Sequence, residues 1–251
     1  MHRIGRVAVP LVALLALVGC SAAPTTTSTT TSAAPTSVAP AAPVVTLPAP
    51  GSSVAPSDFV QTLRTGLESV STLTTTIDAT VTVGGQSVTM VSEAVTDRSN
   101  PSEVKTALTT TVQGVTSEVI FDGHYYYARQ PSGDWIKTDA AAAAGASAPS
   151  NPGDLDAAYR SYEKSFKSVT YVGQQTIDGV ETAHYTVEAD MAALGGTDSE
   201  SEQSMTMDVY LDAQKRPVRL EQKSDATQVT LVQGKFNEPV TITIPADAKE
   251  A

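Results

Sequence analysis

The sequence predicts an α+β domain built on one antiparallel sheet of about ten strands, with two main helices. From Leu73 onward, apolar residues recur at every second position through a series of short segments, as they do in half-buried strands. Turn dipeptides separate these segments, among them Gly84-Gly85, Asp122-Gly123 and Asp178-Gly179. Strands joined by such short turns are antiparallel neighbours, which excludes a βαβ arrangement.

Two segments follow the helical period instead. Pro56-Ser57-Asp58 is typical of a helix start, with Ser57 or Asp58 as the N-cap, and the apolar side of the helix consists of Phe59, Leu63, Leu67 and Val70. Residues 154–166 predict a second helix with Tyr159, Tyr162 and Phe166 on one side. A short helical turn is predicted at 140–144.

Eleven segments read as strands or strand-like hairpin arms, and the closing residues 240–244 add a predicted edge strand. The first begins at Leu73 and places Thr75, Ile77, Ala79 and Val81 on one face. The others lie at 87–96, 104–112, 115–121, 124–129, 134–137, 169–177, 180–188, 205–211, 217–223 and 227–236.

The N-terminus has the pattern of a bacterial lipoprotein precursor. Arg3 and Arg6 precede an apolar run at 7–18, which is too short to read as a lasting transmembrane helix. The run ends in Leu17-Val18-Gly19-Cys20, which matches the lipobox cut by the lipoprotein signal peptidase before Cys20. We therefore expect a signal peptide at 1–19 and acyl chains, palmitate among them, on Cys20. The alternative is a simple secretory signal followed by an incidental cysteine.

Residues 20–56 predict a tether rich in Ser, Thr, Pro and Ala, because such a segment cannot bury enough apolar surface to fold. The folded domain is expected at 57–251. Loss of Arg3 and Arg6 with the signal peptide would take the net charge of −11 to −13. This acidic balance argues against nucleic acid as a partner and leaves membrane attachment to the acyl chains. We expect a protein anchored to the cell membrane on its extracytoplasmic face.

The residues that could carry chemistry predict neither an enzyme nor a metal or cofactor site. His124 and His184 are the histidines outside the signal peptide, and neither has a metal-ligand spacing. No nucleophile elbow, P-loop or dinucleotide fingerprint occurs. Cys20 is the single cysteine, which excludes a disulfide, and lipidation would occupy its thiol.

The strand faces are rich in Thr, Ala, Ser and Val and poor in large apolar residues. A long sheet with small side chains can leave space for an apolar ligand. The same composition suits a sheet with one solvated face, because Thr is a good strand residue. Composition alone does not choose between these alternatives.

The domain resembles the LppX/LprG family of actinobacterial lipoproteins, which are similar in architecture to the LolA/LolB carriers. The resemblance rests on the opening helix and on the order of six segments, namely 122–127, 134–137, 177–187, 207–212, 217–220 and 239–245. It implies a strongly curved half-barrel sheet, helices over its concave face, and a cavity between them that accepts acyl chains. Candidate lining residues are Phe59, Leu63, Leu67, Ile77, Val81, Leu108, Tyr159 and Tyr162.

The leading functional hypothesis is a carrier that binds the acyl chains of lipids or glycolipids and moves them through the cell envelope, as a monomer. An envelope transporter is a conceivable partner. The alternative is a non-enzymatic adaptor that presents the domain to a transporter or sensor. The loops at 140–152 and 195–204 could gate a cavity or be surface insertions.

Overall fold

The computed structural model describes residues 47–143, 155–190, 204–224 and 226–251. The predicted signal peptide, Cys20 and most of the tether lie outside the described residues. So does most of each of the loops at 140–152 and 195–204.

The described chain contains three helices and thirteen strands. The helices are α1 (Pro56–Glu68), α2 (Ala140–Ala143) and α3 (Leu155–Ser165). None of the helices in the described residues is long and apolar enough to cross a membrane. The strands are β1 (Ser53–Val54), β2 (Thr72–Val83), β3 (Gln86–Asp97), β4 (Lys105–Val112), β5 (Val115–Phe121), β6 (Tyr125–Arg129), β7 (Ile136–Asp139), β8 (Phe166–Ile177), β9 (Val180–Asp190), β10 (Ser204–Leu211), β11 (Pro217–Lys223), β12 (Thr227–Gly234) and β13 (Lys249–Glu250).

All thirteen strands form one curved, unclosed sheet, in the order β1-β8-β9-β10-β11-β12-β2-β3-β4-β5-β6-β7-β13. Every neighbouring pair is antiparallel except β13, which runs parallel to β7. The α+β class and the antiparallel meander are therefore confirmed. The predicted count of about ten strands is wrong, since two-residue strands extend both edges of the sheet.

The predicted edge strand at 240–244 is also wrong. Val240, Ile242 and Ile244 are half-buried and alternate with exposed threonines, so the pattern is real, but the segment pairs with no strand. The chain just before this segment is held by a hydrogen bond of 2.9 Å, in which the backbone N–H of Asn237 donates to the carbonyl oxygen of Thr72. Because β2 begins at Thr72, the chain has passed the end of this neighbouring strand before it reaches residue 240.

The folded part begins before Ser57, within residues assigned by composition to the tether. Leu47 packs against the core, and β1 pairs with β8 through Ser53 and Thr170. The helix cap prediction is wrong as well. Ala55 is the N-cap of α1 without a side-chain hydrogen bond, and Pro56 occupies the first turn, where its missing N–H has no cost.

Helix α1 is held close to the sheet near its C-terminal end. A Cβ atom on Gly66 would lie 2.1 Å from the carbonyl oxygen of Lys215, so only glycine permits this approach. The side chain of Arg98 donates from Nη2 to the carbonyl of Leu67 over 3.2 Å, which satisfies an acceptor in the last turn of the helix. The first contact fixes α1 against the loop between β10 and β11, and the second fixes it against the residue that follows β3.

Candidate functional site

One face of the sheet, here called the inner face, is the face that α1 and α3 cover. The strand register identifies its members, because directly opposed residues on neighbouring strands point to the same side. In β9 and β10 the inner pairs are Ala189 with Met205, Val187 with Met207, Tyr185 with Val209, and Ala183 with Leu211. All but Ala183 are buried, and Ala183 packs against the same cluster.

The helices cover the β8 to β12 half of the inner face through an aromatic cluster. The ring of Phe59 in α1 lies 4.9 Å from that of Tyr185, and Tyr185 lies 5.3 Å from Tyr171. The ring of Tyr162 in α3 stacks on the ring of Phe166, the first residue of β8, with 5.5 Å between the ring centres. Burial raises the pKa of Tyr162 far above its ordinary value, so its hydroxyl stays neutral.

A cavity of about 40 Å³ lies between these helices and strands β10 to β12. Nine of its ten lining residues are apolar or aromatic, and none carries a charge. The tenth is Gln233, which is 3% exposed. The lining residues are Phe59, Leu63, Tyr162, Phe166, Met207, Val209, Pro217, Leu220, Leu231 and Gln233.

The other half of the inner face, on β3 to β7, is only partly buried. Its central feature is a row of directly opposed apolar residues, one on each strand, which we call the apolar row. Its members are Ala94, Leu108, Val119, Ala128 and Ile136. The first four are half-buried, and Ile136 is 39% exposed. Neighbouring strands lie about 4.8 Å apart, so the row extends for about 19 Å.

Hydroxyl groups flank the apolar row. On one side Ser92 opposes Thr110, with their side-chain oxygens 3.0 Å apart, and Thr110 opposes Ser117. On the other side Thr96 opposes Thr106, and their oxygens lie 3.4 Å apart. Because these hydroxyls bond to each other across the strands, they can border an apolar ligand at little cost.

The predicted lining residues fall into three groups. Phe59, Leu63 and Tyr162 surround the cavity. Leu67 and Tyr159 are fully buried in the core cluster, and Ile77 packs against that cluster from β2. Val81 and Leu108 are half-buried on the inner face outside the core, with Leu108 at the centre of the apolar row.

Several cavity residues were not singled out from the sequence as lining, including Met207, Val209, Leu220 and Leu231. Their strands were predicted, but the register that brings them under α1 was not. Gln233 could have been identified from the sequence as a candidate lining residue. The alternation of β12 puts it on the same face as Val229 and Leu231, where a polar residue is unexpected.

The outer face carries a polar cluster around His184. Its Nε2 lies 2.8 Å from Asp208 Oδ1, and its ring stacks on Tyr210 at 4.5 Å. The hydroxyl of Thr186 donates to Asp208 over 2.9 Å, so its hydrogen is directed to the carboxylate, whereas a nucleophile would donate it to the histidine. Within the described residues no three His, Cys, Asp or Glu side chains gather to hold a metal ion.

Two solved mycobacterial structures share this fold over most of the chain. LprF from Mycobacterium bovis superposes with a TM-score of 0.53 and 16% identity, covering 76% of this chain and 97% of its own. The lipoprotein LppX from Mycobacterium tuberculosis gives 0.50 and 17%, covering 75% and 98%. The resemblance predicted from the sequence is confirmed by the fold.

More distant structures include a LolA superfamily protein from Nitrosomonas europaea, with a TM-score of 0.32 and 8% identity over 75% of this chain and 96% of its own. That similarity is too low to support an argument. No protein-family model and no curated relative matches the sequence.

Proposed function

We propose that this protein is a membrane-anchored lipoprotein that binds the acyl chains of lipids or glycolipids on its inner face and carries them through the cell envelope. The observation that carries the proposal is the inner face itself. An apolar cavity under α1 and α3 and a half-buried apolar row lie on the same face of the sheet, with strand β2 between them. Such a surface suits a hydrocarbon chain because water leaves apolar groups on both partners.

The size of the cavity bears on how a chain would lie. At about 40 Å³ it is far smaller than typical ligand sites of about 300–1,000 Å³. A complete acyl chain therefore needs the apolar row, whose length of about 19 Å is comparable to that of a long fatty acyl chain. The cavity would take one end of the ligand, and the row would take the remainder.

The lipobox at residues 17–20 supports the proposed anchor. Acyl chains on Cys20 would hold the protein at the membrane, and the residues before the fold would set the distance of the inner face from the lipid surface. The mature chain is acidic, so anionic headgroups would repel it rather than hold it. The shared fold of LppX, itself a lipoprotein, supports this arrangement.

Native mass spectrometry of the protein purified from an actinobacterial host tests the proposal. We expect additional mass from bound lipid, removed by organic extraction. Leu108→Lys puts a charge in the centre of the apolar row and should reduce lipid occupancy about tenfold, because burial of a leucine side chain contributes about 1.5–3 kcal/mol. Thr109→Lys, on the exposed outer side of the same strand, is the matched control. The proposal would be contradicted if the protein carried no lipid, or if Leu108→Lys and Thr109→Lys carried equal amounts of lipid.

The adaptor alternative calls for a contiguous exposed apolar patch. In the described residues the exposed large apolar side chains are separated along the fold, on β3, β5, β7, β8 and β9. They are Val91, Val115, Ile136, Val172 and Val180. This distribution does not favour the adaptor over lipid binding.

A further inference from the structure

Gln233 is the polar exception in the apolar cavity. It is 3% exposed and lines the cavity beside Leu231 and Leu220. Neither Oε1 nor Nε2 of its carboxamide has a hydrogen-bond partner among the described residues. The neighbouring inner-face positions of the same strand, Val229 and Leu231, are apolar and buried.

An unsatisfied carboxamide is costly in such surroundings. Each buried polar atom without a partner forfeits its hydrogen bonds to water, and an apolar side chain of similar shape would avoid that loss. A leucine would fit the pattern of the strand. The unpaired donor and acceptor therefore point to a partner that does not belong to the fold.

We propose that Gln233 binds the neutral, hydrogen-bonding end of a single-chain lipid, a fatty alcohol or a protonated fatty acid, inside the cavity. This inference rests on the proposed lipid-binding function and names the end group that the site takes. Gln233 Nε2 would donate to an oxygen of the lipid, and Oε1 would accept its hydroxyl hydrogen. An ester offers no hydrogen to donate and would leave Oε1 unpaired.

The absence of charge on the cavity lining and the small volume of the cavity restrict which end groups it can bind. None of the ten lining residues is charged, so an ionised head would lie in the cavity without a counter-ion, which is strongly unfavourable. The volume of about 40 Å³ admits a group of a few atoms and excludes a sugar or phosphate headgroup. A hydroxyl or a neutral carboxyl satisfies both conditions.

The strand register shows where the hydrocarbon would go. Gln233 stands directly opposite Thr75, and Thr75 stands opposite Ala94, the first member of the apolar row. The row then continues to Ile136 at the half-exposed side of the sheet. A chain whose polar end meets Gln233 would thus follow one line of opposed side chains across the inner face.

The test compares two probes that differ in one hydrogen-bond donor, hexadecanol and hexadecyl methyl ether. Both are delivered to the extracted full-length protein from cyclodextrin, and their affinities are measured by displacement of the fluorescent hydrocarbon diphenylhexatriene. We expect hexadecanol to bind about tenfold more tightly than the ether, as one net hydrogen bond of about 1.4 kcal/mol implies. Palmitic acid, measured in the same way, distinguishes a carboxyl end from a hydroxyl end, and preferential binding of either supports the inference.

In Gln233→Leu the ratio of the two affinities should fall to about one, with the affinity for the ether retained. Gln228→Leu, on the exposed outer side of the same strand, should keep the tenfold ratio. If water binds the carboxamide of Gln233 instead, hexadecanol and the ether should bind the unaltered protein equally well. That result would overturn the inference but not the proposed lipid binding. An unchanged ratio in Gln233→Leu would also overturn it. Binding of neither probe would overturn the proposed function too.

Discussion

Substitution of Gly66 tests how closely α1 is held to the sheet. In Gly66→Ala the added Cβ would lie 2.1 Å from the carbonyl oxygen of Lys215 and 2.4 Å from its carbonyl carbon. Both atoms belong to the backbone, so no side-chain rotation relieves the contact. Separation to 3.0 Å, below which real Cβ contacts essentially do not occur, requires a shift of at least 0.9 Å.

Two effects of opposite sign determine how much Gly66→Ala changes the free energy of unfolding. Alanine is favoured over glycine inside a helix by about 1 kcal/mol. Overpacking in a rigid environment costs about 1–3 kcal/mol, and a clash between backbone elements belongs to the upper part of that range. We therefore expect the free energy of unfolding to fall by about 1–2 kcal/mol.

Urea denaturation of the two proteins measures this change as a lower midpoint at unchanged slope. Gly234→Ala is the matched control, since a Cβ there would meet nothing within 4 Å and its backbone is unstrained. That variant should be neutral or slightly stabilised. A Gly66→Ala protein more stable than the unaltered one would refute the close approach of α1 to Lys215.

Cys20→Ala should abolish detergent partitioning or leave an unprocessed precursor, and unchanged mass and partitioning would refute lipidation. In Asp122, burial alone would raise the carboxyl pKa, but hydrogen bonds from the backbone N–H groups of Tyr125 and His124 and from the Tyr127 hydroxyl outweigh it and hold the pKa below its ordinary value. The stabilisation is thus present above about pH 4 and is lost as the pH falls through the lowered pKa. Asp122→Asn should therefore reduce the fall of the urea midpoint with decreasing pH. An unchanged fall of the midpoint below about pH 4 would contradict this role of Asp122. Gln233→Leu should raise the free energy of unfolding of the extracted protein by about 1 kcal/mol, and a lower urea midpoint would contradict an unpaired carboxamide.

The sheet was largely readable from the sequence because its signals are local. Alternation marks each strand, and the turn at Gly84 and Gly85 shows the positive φ angles that the dipeptide predicted. The same rule misled at residues 240–244, because alternation reports a half-buried extended chain and does not show whether a free sheet edge lies beside it.

The site was less predictable because it depends on register and on close approach between distant segments. Leu108 and Ile136 belong to one row only through three successive strand pairings, by way of Val119 and Ala128. The contact of Gly66 with Lys215 joins residues far apart in sequence, so no local pattern predicts it. Phe166 was assigned to the second helix, but it begins β8, where it pairs with Ala189.

Photo-crosslinking locates the lipid on the protein most directly. A palmitic acid analogue with a photoreactive group at the end of its chain is bound, irradiated, and mapped by peptide mass spectrometry. We expect attachment to the middle of the apolar row, at Leu108 and Val119, because four strand spacings of about 19 Å in total separate Gln233 from Val119, which is about the length of the chain. Attachment to exposed outer residues such as Val91 and Val180, with none on the row, would contradict acyl-chain binding on the inner face.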